Sequence, residues 1–199
     1  MSFWSSDTIN AGAAVASAVA AGAALLTARR AHHTAQTVAR IEHDRWHAEL
    51  TPQFNITITG IEGDRATLDV QLVGPIALDH LDKITLTVVQ SDDAERTNRL
   101  PGGPSQNEID NHVYGPYRFV PSPDGTDAHG HGPAPFSLRV GRGRPFALER
   151  TRPPRWQTGD DAAERWQHQW ETWPMRLLVT CERNGETWQF HQIAHQRPQ

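Results

Sequence analysis

From Phe54 onward the chain alternates hydrophobic and polar residues with a period of two, which is typical of half-buried β-strands. The clearest alternation covers residues 54–59, and it returns over residues 66–72 after a polar turn. A third strand is predicted over residues 84–90, where β-branched residues are frequent. Shorter apolar stretches between Pro- and Gly-rich segments predict edge strands over residues 117–120, 136–140 and 146–149.

The strongest local signal lies near the C-terminus, where Asn184-Gly185 separates two apolar stretches. An Asn-Gly pair favours a type I′ turn, because both central residues of that turn have positive φ. A two-residue loop pairs Cys181 with Trp188 and puts apolar side chains on one face. The sequence therefore predicts a C-terminal hairpin with strands over residues 175–182 and 187–193.

Helical signals are few in the same part of the chain. The two aspartates at 160–161 and Pro174 mark the ends of a predicted helix whose tryptophans we expect to pack on the sheet. Ser105 and Glu108 have the spacing of a capping box for a short helical turn. The predicted fold class is therefore mainly β: residues 51–199 form an antiparallel β-sandwich-like domain with one or two short helices.

The N-terminal part of the chain has a different pattern. Between Asp7 and Arg29 lie 21 uncharged residues, ten of them Ala, which is the length a helix needs to cross the hydrocarbon core of a membrane. Arg29 and Arg30 follow this run and no Lys or Arg precedes it, so the positive-inside bias directs the C-terminal side to the cytoplasm. We predict an anchor helix over residues 1–30, with residues 9–28 crossing the cell membrane once and a cytoplasmic C-terminal domain.

Small residues recur every four positions in this run, a spacing that lets helix backbones approach closely in lipid. The stripe favours a homodimer, although an Ala-rich segment also produces such spacing by chance. The alternative is a soluble oligomer assembled through the same helix, because Ala combines high helix propensity with little hydrophobicity. The predicted helix–helix contacts are Gly12, Ala16, Ala20 and Ala24.

Residues 31–50 contain no Gly or Pro and continue the helical spacing of the run before them, with Ala35, Val38 and Ile41 on one side. Pro52 marks the place where a helix must stop. The pattern predicts a helical stalk over residues 31–50. A weak coiled coil is the alternative, since the stripe is only partly apolar.

Composition and motifs exclude several function classes. A formal net charge of −4 argues against a general nucleic-acid binder, so we expect no specific nucleic-acid partner. The single cysteine, Cys181, excludes an internal disulfide framework. The chain has no P-loop, no G-x-G-x-x-G and no G-x-S-x-G, and we expect no cofactor.

One loop contains residue types that suit a divalent metal. His129 and His131 follow Asp124 and Asp127, and imidazole and carboxylate groups are common zinc ligands. Such a site, completed by a more distant histidine, is the basis for the hypothesis of a metal-dependent hydrolase. A metal site needs rigid ligands, however, and this Gly- and Pro-rich segment is typical of a flexible polar loop. We therefore expect no resident metal.

A basic run follows this loop and contains only one acidic residue, Glu149. Its guanidinium groups suit anionic lipid headgroups or a nucleic-acid backbone, while a solvated hairpin is the alternative. The run consists of Arg139, Arg142, Arg144, Arg150, Arg152 and Arg155. Tryptophans nearby suit a stacking platform for a sugar or base, although core packing is the interpretation we favour. They are Trp156, Trp166, Trp170, Trp173 and Trp188.

Four stretches carry a family resemblance: RWHAELTPQF, LVGPIALDHLDKITLTV, VYGPYRFVP and PFALERTRPPRW. Over most of residues 41–190 the chain resembles an uncharacterised family of actinobacterial proteins. The resemblance implies an N-terminal hydrophobic or helical segment followed by this domain, and it supplies no activity and no catalytic residues. The 18 Arg against one Lys, Lys83, fit a GC-rich genome.

The sequence thus favours a membrane-anchored cytoplasmic binding or scaffolding module over an enzyme. It does not identify the protein partner.

Overall fold

The computed structural model describes residue 29 and residues 32–89, 103–121 and 123–197. Two compact units divide the chain after Glu49. In the first unit a helix, α1, runs over residues 32–49, where we predicted the stalk, and its side chains are exposed except for the partly buried His47. No helix within the described ranges has the length and apolar character of a membrane span. The predicted anchor over residues 9–28 and its small-residue stripe lie outside the described residues.

The second unit is mainly β, as the alternation of apolar and polar residues predicts. Its strands are β1 (Gln53–Glu62), β2 (Arg65–Gly74), β3 (His80–Val88), β4 (Tyr117–Phe119), β5 (Phe136–Arg139), β6 (Gly143–Arg150), β7 (Met175–Arg183) and β8 (Glu186–Gln196). Two short helices accompany them, α2 (Gln106–Asp110) and α3 (Ala162–Trp170).

All eight strands belong to one curled sheet in the order β4-β6-β2-β1-β8-β7-β3-β5. Each neighbouring pair is antiparallel except β1 and β8, which are parallel and meet only where Thr57 and Ile58 pair with His195 and Gln196. The expectation of a wholly antiparallel domain is therefore wrong at this junction. Its cause is tertiary, because this pairing joins the first and last strands of the domain, which are far apart in the sequence.

The core lies between the two four-stranded halves of the sheet. Inward residues of β1 and β2, such as Ile56 and Leu68, share one cluster with inward residues of β3 and β7, such as Leu86 and Val179. These positions alternate with exposed or partly buried ones along each strand. The hydrophobic period of two therefore predicts correctly which side chains are buried.

The C-terminal hairpin is confirmed in its register and its turn. Cys181 pairs with Trp188, as predicted from a two-residue loop. Asn184 and Gly185 have φ of 48° and 85°, the two positive values that a type I′ turn requires. The capping box of α2 is also confirmed, since the Ser105 hydroxyl and the Glu108 carboxylate each accept the other residue's backbone N–H.

The turn provides a direct test of the backbone argument. A Cβ at Gly185 would meet no atom within 4 Å, so only the positive φ disfavours a side chain there. We expect Gly185→Val to lower the free energy of unfolding by more than about 1 kcal/mol, measured by urea denaturation. Gly185→Asn is the control, because Asn tolerates positive φ and should cost much less. Equal unfolding midpoints for the valine variant and the wild type would contradict this account.

The predicted packing of the tryptophan helix on the sheet is wrong. Trp166 and Trp170 of α3 are buried in a second cluster with Ile109 and Tyr114, separate from the sheet core. Trp166 donates from Nε1 to the buried Thr151 hydroxyl at 2.9 Å. The helical period of the sequence predicts which side chains are buried, but it does not predict which part of the protein covers them.

Candidate functional site

The loop that contains His129 and His131 closes one end of the curled sheet. The Gly130 carbonyl accepts the Phe119 N–H of β4 at 3.0 Å, and the His131 carbonyl accepts the Val88 N–H of β3 at 2.8 Å. The loop therefore bridges the strands on its two sides. Its backbone has a fixed position, in contrast to the flexible connection that its Gly and Pro content indicated.

Two glycines allow this close approach. A Cβ at Gly132 would overlap the carbonyl oxygen of Leu86, and a Cβ at Gly130 would overlap the carbonyl oxygen of Phe119. Gly130 also has a φ of 82°, which L side chains rarely adopt. Both glycines are therefore required by the backbone packing of the loop.

The carboxylate of Asp127 organises the same loop. It accepts backbone N–H groups from His129 at 2.7 Å, Gly130 at 2.8 Å, His131 at 3.2 Å and Gly132 at 3.3 Å. Partial burial raises the pKa of Asp127, but the N–H donors of His129 and His131 outweigh this effect, so its pKa is lowered overall. These bonds occupy both oxygens with a structural role.

Among the remaining metal candidates only His131 lies next to Asp127, with its Nδ1 3.5 Å from Asp127 Oδ1. The rings of His129 and His131 lie 5.9 Å apart between centroids, and Asp124 forms an ion pair with Arg144 at 2.8 Å. Within the part of the chain that the structure describes, no three His, Cys, Asp or Glu side chains are grouped as metal ligands. The divalent-ion site of the hydrolase hypothesis is not assembled among these residues.

The basic run is divided by the fold into structural and exposed arginines. The guanidinium of Arg144 lies over the rings of Phe136 and Phe146, 5.4 and 5.2 Å from their centroids, as well as pairing with Asp124. Arg150 lies 5.6 Å from the ring centroid of Tyr117. These two arginines stabilise the domain through cation–π contacts. The four exposed arginines of the run are Arg139, Arg142, Arg152 and Arg155.

A charged cluster at the start of β3 gathers two of the exposed arginines. His80 lies between two carboxylates, with Nδ1 at 2.9 Å from Asp79 Oδ2 and Nε2 at 3.2 Å from Asp82 Oδ1. Each ring nitrogen therefore lies within hydrogen-bonding distance of a carboxylate oxygen, which can only accept a hydrogen bond. The hydrogen bond from His80 is the main reason that the pKa of Asp79 is lowered. His80 is thus held through both nitrogens.

The backbone at Asp79 is strained. Its φ of 59° and ψ of −62° lie in a region that non-glycine residues rarely occupy. Two hydrogen bonds fix it there: the Asp79 N–H donates to Ile76 at 3.1 Å, and the Asp79 carbonyl accepts the Val140 N–H at 2.8 Å. Such strain costs about 1–3 kcal/mol and is concentrated at functional sites.

A cavity of about 470 Å³ opens beside this cluster, and we call it the His80 groove. It lies on the outer side of β3 and β5, where His80 pairs directly with Arg139. β3 contains a bulge between Leu81, which pairs with Leu138, and Ile84, which pairs with Phe136. The two bulged residues, Asp82 and Lys83, therefore lie opposite a single residue of β5, Ser137. Bulges of this kind often re-aim side chains next to binding sites. The groove is lined by His80, Leu81, Asp82, Ser137, Leu138, Arg139 and Arg142.

Most of this groove was not predicted from the sequence, in which a more distant histidine was considered only as a further ligand of the metal loop. His80 begins β3, whereas that loop bonds to Val88 at the other end of the strand. The available signal was the pattern Asp79-His80-Leu81-Asp82, which puts carboxylates on both sides of one imidazole. The partnership with Arg139 depends on strand pairing and has no local signal.

Two further reactive side chains are withdrawn from solvent, Cys181 fully and His112 partly. Cys181 is fully buried in the sheet core, and burial raises the pKa of its thiol to about 12. At neutral pH it therefore behaves as a small apolar side chain. His112 packs edge-to-face against Tyr114, Trp156 and Trp166, and burial lowers its pKa to about 4.

The predicted tryptophan platform is mostly interior. Trp166, Trp170 and Trp188 are buried, which agrees with the favoured interpretation of core packing. Trp156 is partly buried, and Trp173, 46% exposed, contacts the ring of Trp170 edge-on at 5.5 Å between centroids. Little of this indole surface remains for stacking on a ligand.

The chain matches no protein-family model, no curated protein and no solved structure. The resemblance to an actinobacterial family therefore stays a prediction, and the site must be interpreted from its own geometry.

Proposed function

We propose that this protein is a membrane-anchored binding module whose β-sheet domain, a sandwich-like fold in the cytoplasm, recognises an anionic partner through the His80 groove. The observation that carries the proposal is the double engagement of His80. An imidazole whose two nitrogens both contact carboxylates organises charge, and it has no free nitrogen with which to accept a proton from a nucleophile. The arrangement suits binding better than catalysis.

The charges around the groove support an anionic partner. The carboxylate of Asp82 contacts His80 with one oxygen and accepts the Asn184 N–H at 3.1 Å with the other, while Asp79 contacts His80. Arg139 and Arg142 are exposed on the same side. Both carboxylates thus have partners within the protein, although the side chains of Asp79 and Asp82 remain 70% and 51% exposed, and the guanidinium groups also face solvent.

Membrane anchoring is the part of the proposal that rests on sequence alone. The uncharged run 9–28 has the length of a span, and Arg29 and Arg30 follow it. We expect the full-length protein to sediment with membranes and to resist extraction by alkaline carbonate. Recovery in the soluble fraction without detergent would instead support the soluble oligomer built through Gly12, Ala16, Ala20 and Ala24.

Orientation is tested with two single-cysteine additions. The native Cys181 is buried and has a raised pKa, so it should stay unlabelled in the folded protein. We expect a membrane-impermeant maleimide to label Ser2→Cys in intact cells and to label Gln189→Cys, at an exposed position of β8, only after lysis. Equal labelling of Gln189→Cys before and after lysis would place the domain outside the cell and contradict the cytoplasmic assignment.

A further inference from the structure

We propose that the His80 groove binds a phosphoryl group, specifically a phosphate monoester. This inference rests on the proposed binding function and names the chemical class of the ligand. The observation that supports it is a preformed cavity that is lined by cationic and hydroxyl hydrogen-bond donors on one outer face of the sheet. That face combines Arg139 at the end of β5, Arg142 in the turn after it, and the exposed Ser137.

The local charge selects an anion. The groove contains Arg139, Arg142 and, beside it, the guanidinium of Arg183, against Asp79 and Asp82. Three guanidinium groups thus face two carboxylates, so the positive charges exceed the negative ones without any contribution from His80. The side chain of Arg183 is also directed inward, donating to the Ala77 carbonyl at 3.3 Å, so Arg139 and Arg142 supply the accessible charge. Asp79 offsets part of the charge of Arg139, and Asp82 lines the same groove, so an anion is attracted by the net positive charge that remains.

The arrangement of donors favours phosphate over a carboxylate. A phosphate monoester carries between −1.5 and −2 charges near pH 7 and has three strong acceptor oxygens, whereas a carboxylate has one charge and two oxygens. Each of the two guanidinium groups offers paired N–H donors, and the Ser137 hydroxyl offers a further hydrogen-bond donor. Three acceptor oxygens match three donor groups, and two negative charges match the two accessible arginines.

The groove is also preformed. The backbone of Leu81 and Leu138 forms its floor, since both side chains are buried in the core. The bulge opposite Ser137 and the hydrogen bond between Val140 and Asp79 fix the ends of β3 and β5 relative to each other. Little backbone entropy therefore remains to be lost on binding, and the entropic cost is mainly that of ordering the two exposed arginine side chains.

The experiment uses the full-length protein in detergent at constant ionic strength. Inorganic phosphate is titrated while backbone amide NMR signals of the groove are followed, and acetate is titrated in parallel. We expect saturable phosphate binding, with shifts centred on Ser137 and Arg139, and at least tenfold weaker binding by Arg139→Gln/Arg142→Gln. The control is Arg152→Gln/Arg155→Gln, which removes the same charge from exposed arginines outside the groove and should change the dissociation constant less than twofold.

Three results would overturn the proposal. The first is that the wild-type protein shows no saturable phosphate binding. The second is that the two double variants weaken phosphate binding equally. The third is that acetate binds as tightly as phosphate. The first would remove the site, the second would indicate diffuse surface charge, and the third would refute the ligand class. Membrane fractionation tests the anchor separately, so a soluble protein that still binds phosphate would reject only the anchor.

A second arm identifies the source of the phosphoryl group. Mixed micelles of the same detergent and phosphatidylcholine, with and without 10% phosphatidic acid, a lipid phosphate monoester, are compared as competitors for inorganic phosphate. Competition that requires Arg139 and Arg142 supports a lipid headgroup as the ligand. Phosphate binding without such competition supports a soluble phosphate ester in the same groove.

Discussion

Replacing Gly132 by alanine is expected to destabilise the β domain by at least about 2 kcal/mol, because the added methyl group would overlap the Leu86 carbonyl oxygen. The backbone of both segments is fixed by hydrogen bonding, including the bond from the Val88 N–H to the His131 carbonyl. Relief of the overlap therefore has to break the closure of the sheet between β3 and β4. The measurement is the free energy of unfolding in urea for the full-length protein.

A matched control separates this steric effect from the general cost of changing a loop glycine. Gly115 is buried and does not have positive φ, yet a Cβ there would meet no atom within 4 Å. We expect Gly115→Ala to change the stability by less than about 0.5 kcal/mol. If Gly132→Ala were as stable as Gly115→Ala, the loop would not close the sheet in the way described.

His112 is expected to make the protein lose about 3 kcal/mol of stability as the pH falls from 6.5 to 4. Burial among Tyr114, Trp156 and Trp166 lowers the pKa of the folded state to about 4, and the charges of Arg118 and His131 add to the effect. The unfolded chain therefore binds a proton at about pH 6.5 while the folded chain remains neutral. Stability is complete above pH 6.5, declines between the two pKa values and stays constant below 4.

The test compares the wild-type protein with His112→Phe, which keeps an aromatic ring and removes the titration. Urea unfolding is measured at several pH values between 7 and 4, and the difference in stability between the two proteins is plotted against pH. We expect that difference to move by about 3 kcal/mol in favour of the variant at low pH. His168→Gln is the control, because the side chain of His168 is 88% exposed and its loss should leave the pH dependence unchanged. A constant difference between wild type and His112→Phe would show that His112 is not desolvated.

Several elements follow from local sequence because their determinants are close together in the chain. The Asn184-Gly185 turn fixes the register of its hairpin, since the allowed backbone of two residues decides which side chains face each other. The capping box of Ser105 and Glu108 is likewise complete within four residues. The alternation along β1 and β2 predicts which face of each strand is buried, but it does not predict which residues pack against that face.

The Gly-rich loop that contains His129 and His131 is ordered by contacts that its local sequence does not reveal. Glycine content alone indicates flexibility, because glycine widens the backbone conformations available to the unfolded chain. In the folded domain Gly130 and Gly132 are instead required by close contact with strands β4 and β3, and Asp127 binds the backbone that joins them. Residue types that suit a metal site are thus used for a turn.

The sequence by itself determined the mainly β class of residues 51–199, the hairpin and its register, and which positions along the strands are apolar, because these depend on periods and turns of a few residues. Only the tertiary structure decided the parallel contact of β1 with β8, the separate tryptophan cluster and the His80 groove. In the groove, His80 and Arg139 are neighbours through strand pairing across a long stretch of chain. Such pairing is selected by the packing of the whole core, and no local pattern records it.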